Sequence, residues 1–189
     1  MTLAISLDIE TLSTHKNAVV LSIGACTVSL NGERRQDFHC RLDAQSQIDA
    51  GRHVSASTLA WWMNQNPVAK LAAFEGEGLP VDHALTALRT WITHQGNPPV
   101  WTKGPAFDGA ILESLAEDWG LKPCWPYRDH RDLRTIEEAA RLAKDETVYE
   151  RWHQVMERAT GDTIAHHALG DAIAQGAVVQ WWLEELVNG

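Results

Sequence analysis

Ala4-Ile5-Ser6-Leu7-Asp8-Ile9-Glu10-Thr11 is a short apolar run that ends in two carboxylates one residue apart. Side chains on a strand alternate faces, so Asp8 and Glu10 point the same way. Ile5, Leu7 and Ile9 then face the opposite side, where they can be buried. Two like charges side by side repel, more strongly as water is excluded. A divalent cation between them removes the conflict, and oxygen ligands of this kind suit Mg²⁺ or Mn²⁺. The alternative is a strand running out into a solvated turn. Further carboxylates and a base downstream are what separate the two.

Working outward, residues 3–9 read as a buried strand and residues 18–30, rich in Val and Ile, as a second. Asn31-Gly32 is a two-residue hairpin signal, because both residues tolerate positive φ. Residues 34–42 return as a third, more polar strand at or near an edge, which completes an antiparallel meander. From about residue 55 the period changes. Ser57 caps a short helix through Trp61, Trp62 and Met63, which Asn66-Pro67 stops. Residues 68–74 add a turn or two of helix. Residues 81–94 form an amphipathic helix, with Ala84, Leu85, Leu88, Trp91 and Ile92 at i, i+3, i+4, i+7 and i+8. Residues 100–102 are a short strand, and residues 107–119 a helix that Gly120 ends. Residues 125–130 are a final short strand. Helices follow from Asp132 to about Lys144, over residues 147–158, and from Thr163 onward. This order predicts an α/β fold: a mixed sheet of about five strands with helices on both faces, in one domain over residues 1–189.

The chain has 189 residues, 44% of them hydrophobic and 22% charged, the composition of an ordinary globular protein. There is no basic-plus-apolar leader and no apolar run long enough to cross a membrane. Cys26, Cys40 and Cys124 are far apart and form no CxxC pair. That pattern fits free thiols in a reducing cytoplasm rather than a zinc or disulfide framework. The net charge of −9 argues against a simple nucleic-acid binder, which carries a basic face. It does not exclude an enzyme whose cations meet the phosphate, because bound cations invert the local sign. Residues 161–189 hold four acidic side chains and no Lys or Arg. A basic contact surface therefore has to come from earlier in the chain, from Lys103 or the arginines between 128 and 158.

Three downstream features complete the first. Asp108, after Lys103-Gly104-Pro105-Ala106-Phe107, lies between a strand and a helix. His166 and Asp171 lie at the start of the last helix. Four carboxylates and a histidine at strand ends and helix starts can converge on one edge of an α/β sheet. The chemistry that uses such a set is two-metal phosphodiester hydrolysis, with cations about 3.5–4 Å apart on the scissile phosphate. A histidine that titrates near neutrality takes the proton from the attacking water.

The sequence resembles the 3′–5′ exonucleases of the DEDDh group, within the ribonuclease H-like superfamily. Asp8-Ile9-Glu10-Thr11 matches the first motif, Phe107-Asp108 the second, and His166 with Asp171-Ala172 the last, H-x4-D. Val20-Leu21-Ser22-Ile23-Gly24-Ala25 resembles the second-strand pattern. Residues 17–25, and Thr58-Leu59-Ala60-Trp61-Trp62 with Gln65, look closest to a subgroup of phage exonucleases and bacterial exoribonucleases. The likeness spans roughly residues 3–180 and implies a ribonuclease H-like sheet and two divalent ions, Mg²⁺ or Mn²⁺. It implies that Asp8, Glu10 and Asp171 ligate the catalytic metal, with Asp8 bridging to a second that Asp108 reaches directly or through water. His166 is then the general base. Thr11 and Leu12 lie against the terminal nucleotide, Phe107 wedges near its base, and Trp61 offers an aromatic face. The implied substrate is the 3′ end of single-stranded RNA or DNA, released as nucleoside 5′-monophosphates. Relatives that form homodimers extend that expectation to this chain.

Plainer roles compete for each residue. Asp108 can be only a helix N-cap, and Asp171 a solvated helix residue. Asp132 reads best as a cap. His167, not His166, stands four residues before Asp171 and shares its face on a regular helix. Trp61-Trp62 on a short helix is more often core than stacking platform, although one of the pair can face a groove. Trp181 and Trp182 read as core or as a self-association surface. Two other functions remain open: an inactive nucleic-acid-binding module and a phosphoesterase for small nucleotides.

Overall fold

The two most apolar stretches lie at the centre of one mixed sheet. In the computed structural model, which describes residues 2–30, 34–143, 146–161 and 166–188, β1 (Ala4–Thr11) pairs antiparallel with β2 (Val20–Val28). β2 is buried at all nine positions because the sheet is covered on both faces. β3 (Asp37–Arg41) continues the antiparallel meander at the polar edge. On the other side of β1, β4 (Val100–Thr102) and β5 (His130–Asp132) add in parallel. The order is β3-β2-β1-β4-β5, the predicted ribonuclease H-like mixed sheet.

The alternation along β1 decides which helices cover which face. Ile5, Leu7 and Ile9 pack in one core with α4 (Val81–His94) and α5 (Asp108–Asp118). The opposite face carries Ala4, Ser6, Asp8 and Glu10 and meets α8 (Ala168–Asn188), which packs on β1 and β2. There α6 (Leu133–Leu142), α7 (Glu146–Gly161) and α8 share a second apolar core with Ala4 and Val28. Gly24 lets α8 come close: a methyl there would overlap the backbone of Ala168 and Leu169.

One helix carries no sequence signal, and three local expectations are corrected. Residues 44–49 form a short helix, α1 (Ala44–Asp49), capped by Asp43; it is too short and polar to show periodicity, and its Gln47 is buried and bonds both backbone groups of Val20. α2 (Ala56–Met63) is capped by Ser55, whose Oγ accepts from the Thr58 N–H, while Ser57 bonds Ser55. α3 (Pro67–Phe74) follows. The last strand begins at His130 rather than 125: Pro126 has no N–H to give a ladder, and Tyr127–Asp129 is a single 3-10 turn. α8 starts at Ala168, because His166 has φ 61° and interrupts any helix before it; Thr163 lies outside the described residues, as do the Asn31-Gly32 turn and Lys144. No helix among the described residues is long and apolar enough to cross a membrane.

Candidate active site

The end of β1 and the first turn of α8 bring three carboxylates together. One oxygen each of Asp8, Glu10 and Asp171 lie within 4.8 Å of one another. The β1–β2 register shifts by one residue between Glu10 and Thr11, where Glu10 faces Ser22 and Thr11 faces Val20, a local irregularity that re-aims side chains at a sheet rim. Asp171 is the fourth residue of α8, near the positive end of the helix dipole, and its Oδ2 accepts the His166 N–H at 3.1 Å. One turn on, Gln175 Nε2 donates to Asp8 Oδ1 at 2.8 Å. Asp108, the first residue of α5, is 2% exposed. It is not an N-cap: Phe107 holds that position without a side-chain bond. Its carboxylate is drawn instead to its own backbone N–H and that of Ile9. Asp108 stands outside the trio, but its field reaches Asp8 and Glu10.

Burial and mutual repulsion make these carboxylates hard to ionise. Burial, then Asp171 and Asp108, pushes Glu10 up to about 8. Burial pushes Asp108 up to about 7, against the pull of the two N–H groups and Arg134. Asp8 is raised by burial and by Asp108, Glu10 and Asp171, and Asp171 by burial against the His166 charge. Among the described residues, none of the four pairs with a Lys or Arg within 4 Å. Hard oxygen donors with unmet negative charge fit a divalent cation.

Two cavities open beside the trio. One, of about 400 Å³, is lined by Glu10, Thr11, Thr58, Trp61, Trp62 and Phe107. The other, about 390 Å³, is lined by Asp8, Asp108, Asp171, Gln175, Lys103, Arg134 and again Phe107. The tryptophan pair divides between core and surface, as neighbours 100° apart on a helix can. Trp62 is 2% exposed and donates from Nε1 to the Thr11 carbonyl at 2.9 Å, while Trp61 is 42% exposed. Eight of the nine tryptophans, Trp181 and Trp182 included, pack in or against the apolar cores; Trp61 is the ninth. Leu12 stands apart from the other expected substrate contacts, buried with Val19, Leu21 and Trp62 and outside both cavities.

The two histidines have separate uses. His167 is the cap of α8: its Nδ1 accepts the Gly170 N–H at 3.2 Å, and its ring meets His39 at 4.7 Å. His166 precedes the helix, and its ring lies edge-on to Trp61 at 4.7 Å. The left-handed backbone at His166 breaks the helical spacing that favoured His167. Gln175 was missed, because a glutamine four residues after Asp171 looks like any polar helix position.

A family model described as the 3'-5' exoribonuclease Rv2179c-like domain matches residues 4–183. The chain belongs to that family. It is a 3′–5′ exonuclease of the DEDDh type, which sets aside a non-catalytic module. The exodeoxyribonuclease of Enterobacteria phage T4 is 27% identical over 75% of this chain and 73% of its own length. The nuclease domain of 3'hExo, a DEDDh family member solved bound to rAMP, shares the fold. It superimposes with a TM-score of 0.60 at 11% identity over 96% of this chain and 92% of that one. DEDDh nucleases use divalent metals and act on nucleic acid, so the carboxylate trio of this exonuclease has a family counterpart.

Proposed function

We propose that this DEDDh exonuclease hydrolyses the 3′ end of single-stranded RNA or DNA, releasing nucleoside 5′-monophosphates, with residues 1–189 acting as one domain. The observation that carries the reading is the trio of Asp8, Glu10 and Asp171 oxygens within 4.8 Å, with no Lys or Arg within 4 Å among the described residues. Two divalent ions, Mg²⁺ or Mn²⁺, held by these residues and Asp108 would polarise the scissile phosphate and offset charge on its oxygens. His166 accepts the proton of the attacking water on an imidazole nitrogen as the water oxygen bonds to phosphorus and the P–O3′ bond breaks; the 3′ oxygen stays on the shortened strand and takes a proton from solvent, and the phosphate stays on the 5′ side of the departing nucleotide. Trp61 packs edge-on against His166 and limits its rotation. Thr11, Phe107 and Trp61 form the walls that take the terminal nucleoside, and stacking on an aromatic face needs no base preference.

RNA is the favoured polymer because the family model describes an exoribonuclease. DNA is the second reading, supported by the phage exodeoxyribonuclease. The three buried free thiols suit a cytoplasmic setting, and the resemblance to dimeric nucleases makes a homodimer the expected state, measurable by light scattering. The deciding experiment digests 5′-labelled single-stranded RNA and DNA of matched sequence with Mg²⁺, Mn²⁺ or EDTA, beside Asp8→Ala. A metal-dependent ladder that shortens from the 3′ end and vanishes in Asp8→Ala supports the reading. Well-folded protein that cleaves neither polymer but releases phosphate from mononucleotides would replace it with a small-nucleotide phosphoesterase.

A further inference from the structure

We propose that Arg134 and Lys103 form a subsite for the next internucleotide phosphate, the one on the 5′ side of the scissile bond. This rests on the exonuclease reading and gives the strand a direction across the site. The two cavities meet at Phe107 and differ in charge. The one with Trp61 is aromatic and holds no Lys or Arg in its lining. The other is lined by Lys103 and Arg134 together with Asp8, Asp108 and Asp171. A base belongs on the aromatic side, so the phosphates leave by the side that holds Lys103 and Arg134.

The chain needs such a contact. With a net charge of −9, it repels a polyanion everywhere that no cation intervenes. Metal ions at the carboxylates compensate the scissile phosphate, so the next phosphate needs a cation of its own. Arg134 is placed for this. It is exposed, at the second position of α6, with its backbone N–H held by the Asp132 cap at 3.0 Å. Its guanidinium lies over Gly104, where a Cβ would come within 3.2 Å of Nη1 and where φ is 118°. Among the described residues that guanidinium has no ion-pair partner within 4 Å, while its field reaches Asp108. A free guanidinium fork matches phosphate oxygens bidentately. Lys103 Nζ is held by Glu137 Oε1 at 2.9 Å and its field reaches Asp171, so Glu137 restrains the second cation.

The test compares a dinucleoside monophosphate, which has only the scissile phosphate, with a trinucleoside diphosphate, which adds the next one. With Mn²⁺ present, kcat/KM is measured for both in wild type, Arg134→Ala, Arg134→Lys and Glu137→Gln, after circular dichroism confirms folding. The trinucleotide-to-dinucleotide ratio should fall about tenfold in Arg134→Ala, recover partly in Arg134→Lys and rise in Glu137→Gln. The trinucleotide's log–log salt slope should flatten by about 0.7 in Arg134→Ala, one phosphate contact on a single strand. If Arg134→Ala lowers both substrates equally, or neither, the subsite is overturned, and an equal loss means Arg134 acts only through the charge on Asp108. If wild type cleaves neither substrate, the exonuclease reading fails and takes the subsite with it.

Discussion

Asp8 is held by a single amide. Gln175 is 6% exposed, its Nε2 donates to Asp8 Oδ1, and its own Oε1 is buried with no hydrogen-bond partner among the described residues. A flipped amide would turn its carbonyl toward the carboxylate, which has only lone pairs to offer when ionised. The donor therefore fixes the rotation of Asp8 and favours its charged form. Gln175→Leu keeps the bulk and removes the donor, and should weaken Mn²⁺ binding about 10- to 100-fold, read from the Mn²⁺ dependence of Tm. A wild-type dependence would mean that the amide only fills space. His166 and His167 separate by the same kind of experiment. His166→Ala should lower kcat about 10²- to 10⁴-fold with folding intact. His167→Ala removes the α8 cap and should cost about 1 kcal/mol, a fall in Tm of about 2–4 °C, with far less effect on kcat. Equal losses of kcat in the two would move the base away from His166.

At the scale of elements, the site depends on how closely α8 approaches the sheet. Asp8 and Glu10 belong to β1, whereas Asp171 and Gln175 reach them only because Gly24 on β2 has no side chain under Ala168 and Leu169. Cys26 marks the same seam, where its Sγ meets the Ala172 carbonyl at 3.5 Å. Gly24→Ala forces a backbone shift rather than a side-chain rotation, so it should cost about 1–3 kcal/mol, as overpacked cores do. Moving Asp171 off the trio should also abolish metal binding at temperatures where the variant is still folded. Calorimetry with and without Mn²⁺ checks this: a variant that still gains stability from Mn²⁺ would show that the α8 position is not what assembles the trio.

Over the whole molecule, the buried carboxylates make stability depend on pH and on metal together. The folded protein holds Glu10 at about 8 and Asp108 at about 7, against ordinary values near 4.5 and 3.8. Between those limits the folded state keeps protons that the unfolded chain has lost, so stability falls as pH rises. In EDTA the protein should be most stable at or below about pH 4 as far as these groups decide, and Tm should drop on the way to pH 8. Mn²⁺ replaces the protons and should flatten that slope, with the largest Mn²⁺-induced rise in Tm at the alkaline end. A metal-free Tm that climbs from pH 5 to 8 would contradict the picture. The thiols add nothing reactive: burial pushes Cys26, Cys40 and Cys124 up to about 12.

Much of this was legible in the order of residues. Period-two alternation in residues 4–11 separates an apolar face from a carboxylate face, and local backbone geometry enforces that whatever surrounds it. The helix at 81–94, the strand at 100–102 and the spacing of Asp8, Glu10, Asp108, His166 and Asp171 carry the fold and the DEDDh family for the same reason. What the chain order left open was settled by groups far apart in sequence. Gln175 is 167 positions from Asp8, and Gln47 satisfies Val20 from a helix without detectable periodicity. Trp61 and Trp62 are the same residue type side by side, yet one is buried and the other exposed. His166 and His167 are neighbours in the chain, yet the first stands before α8 with a left-handed backbone and the second caps the helix. Local pattern determines which face a side chain occupies, because backbone geometry sets the period. Which partner that face meets depends on long-range packing, because burial and electrostatics act through space rather than along the chain.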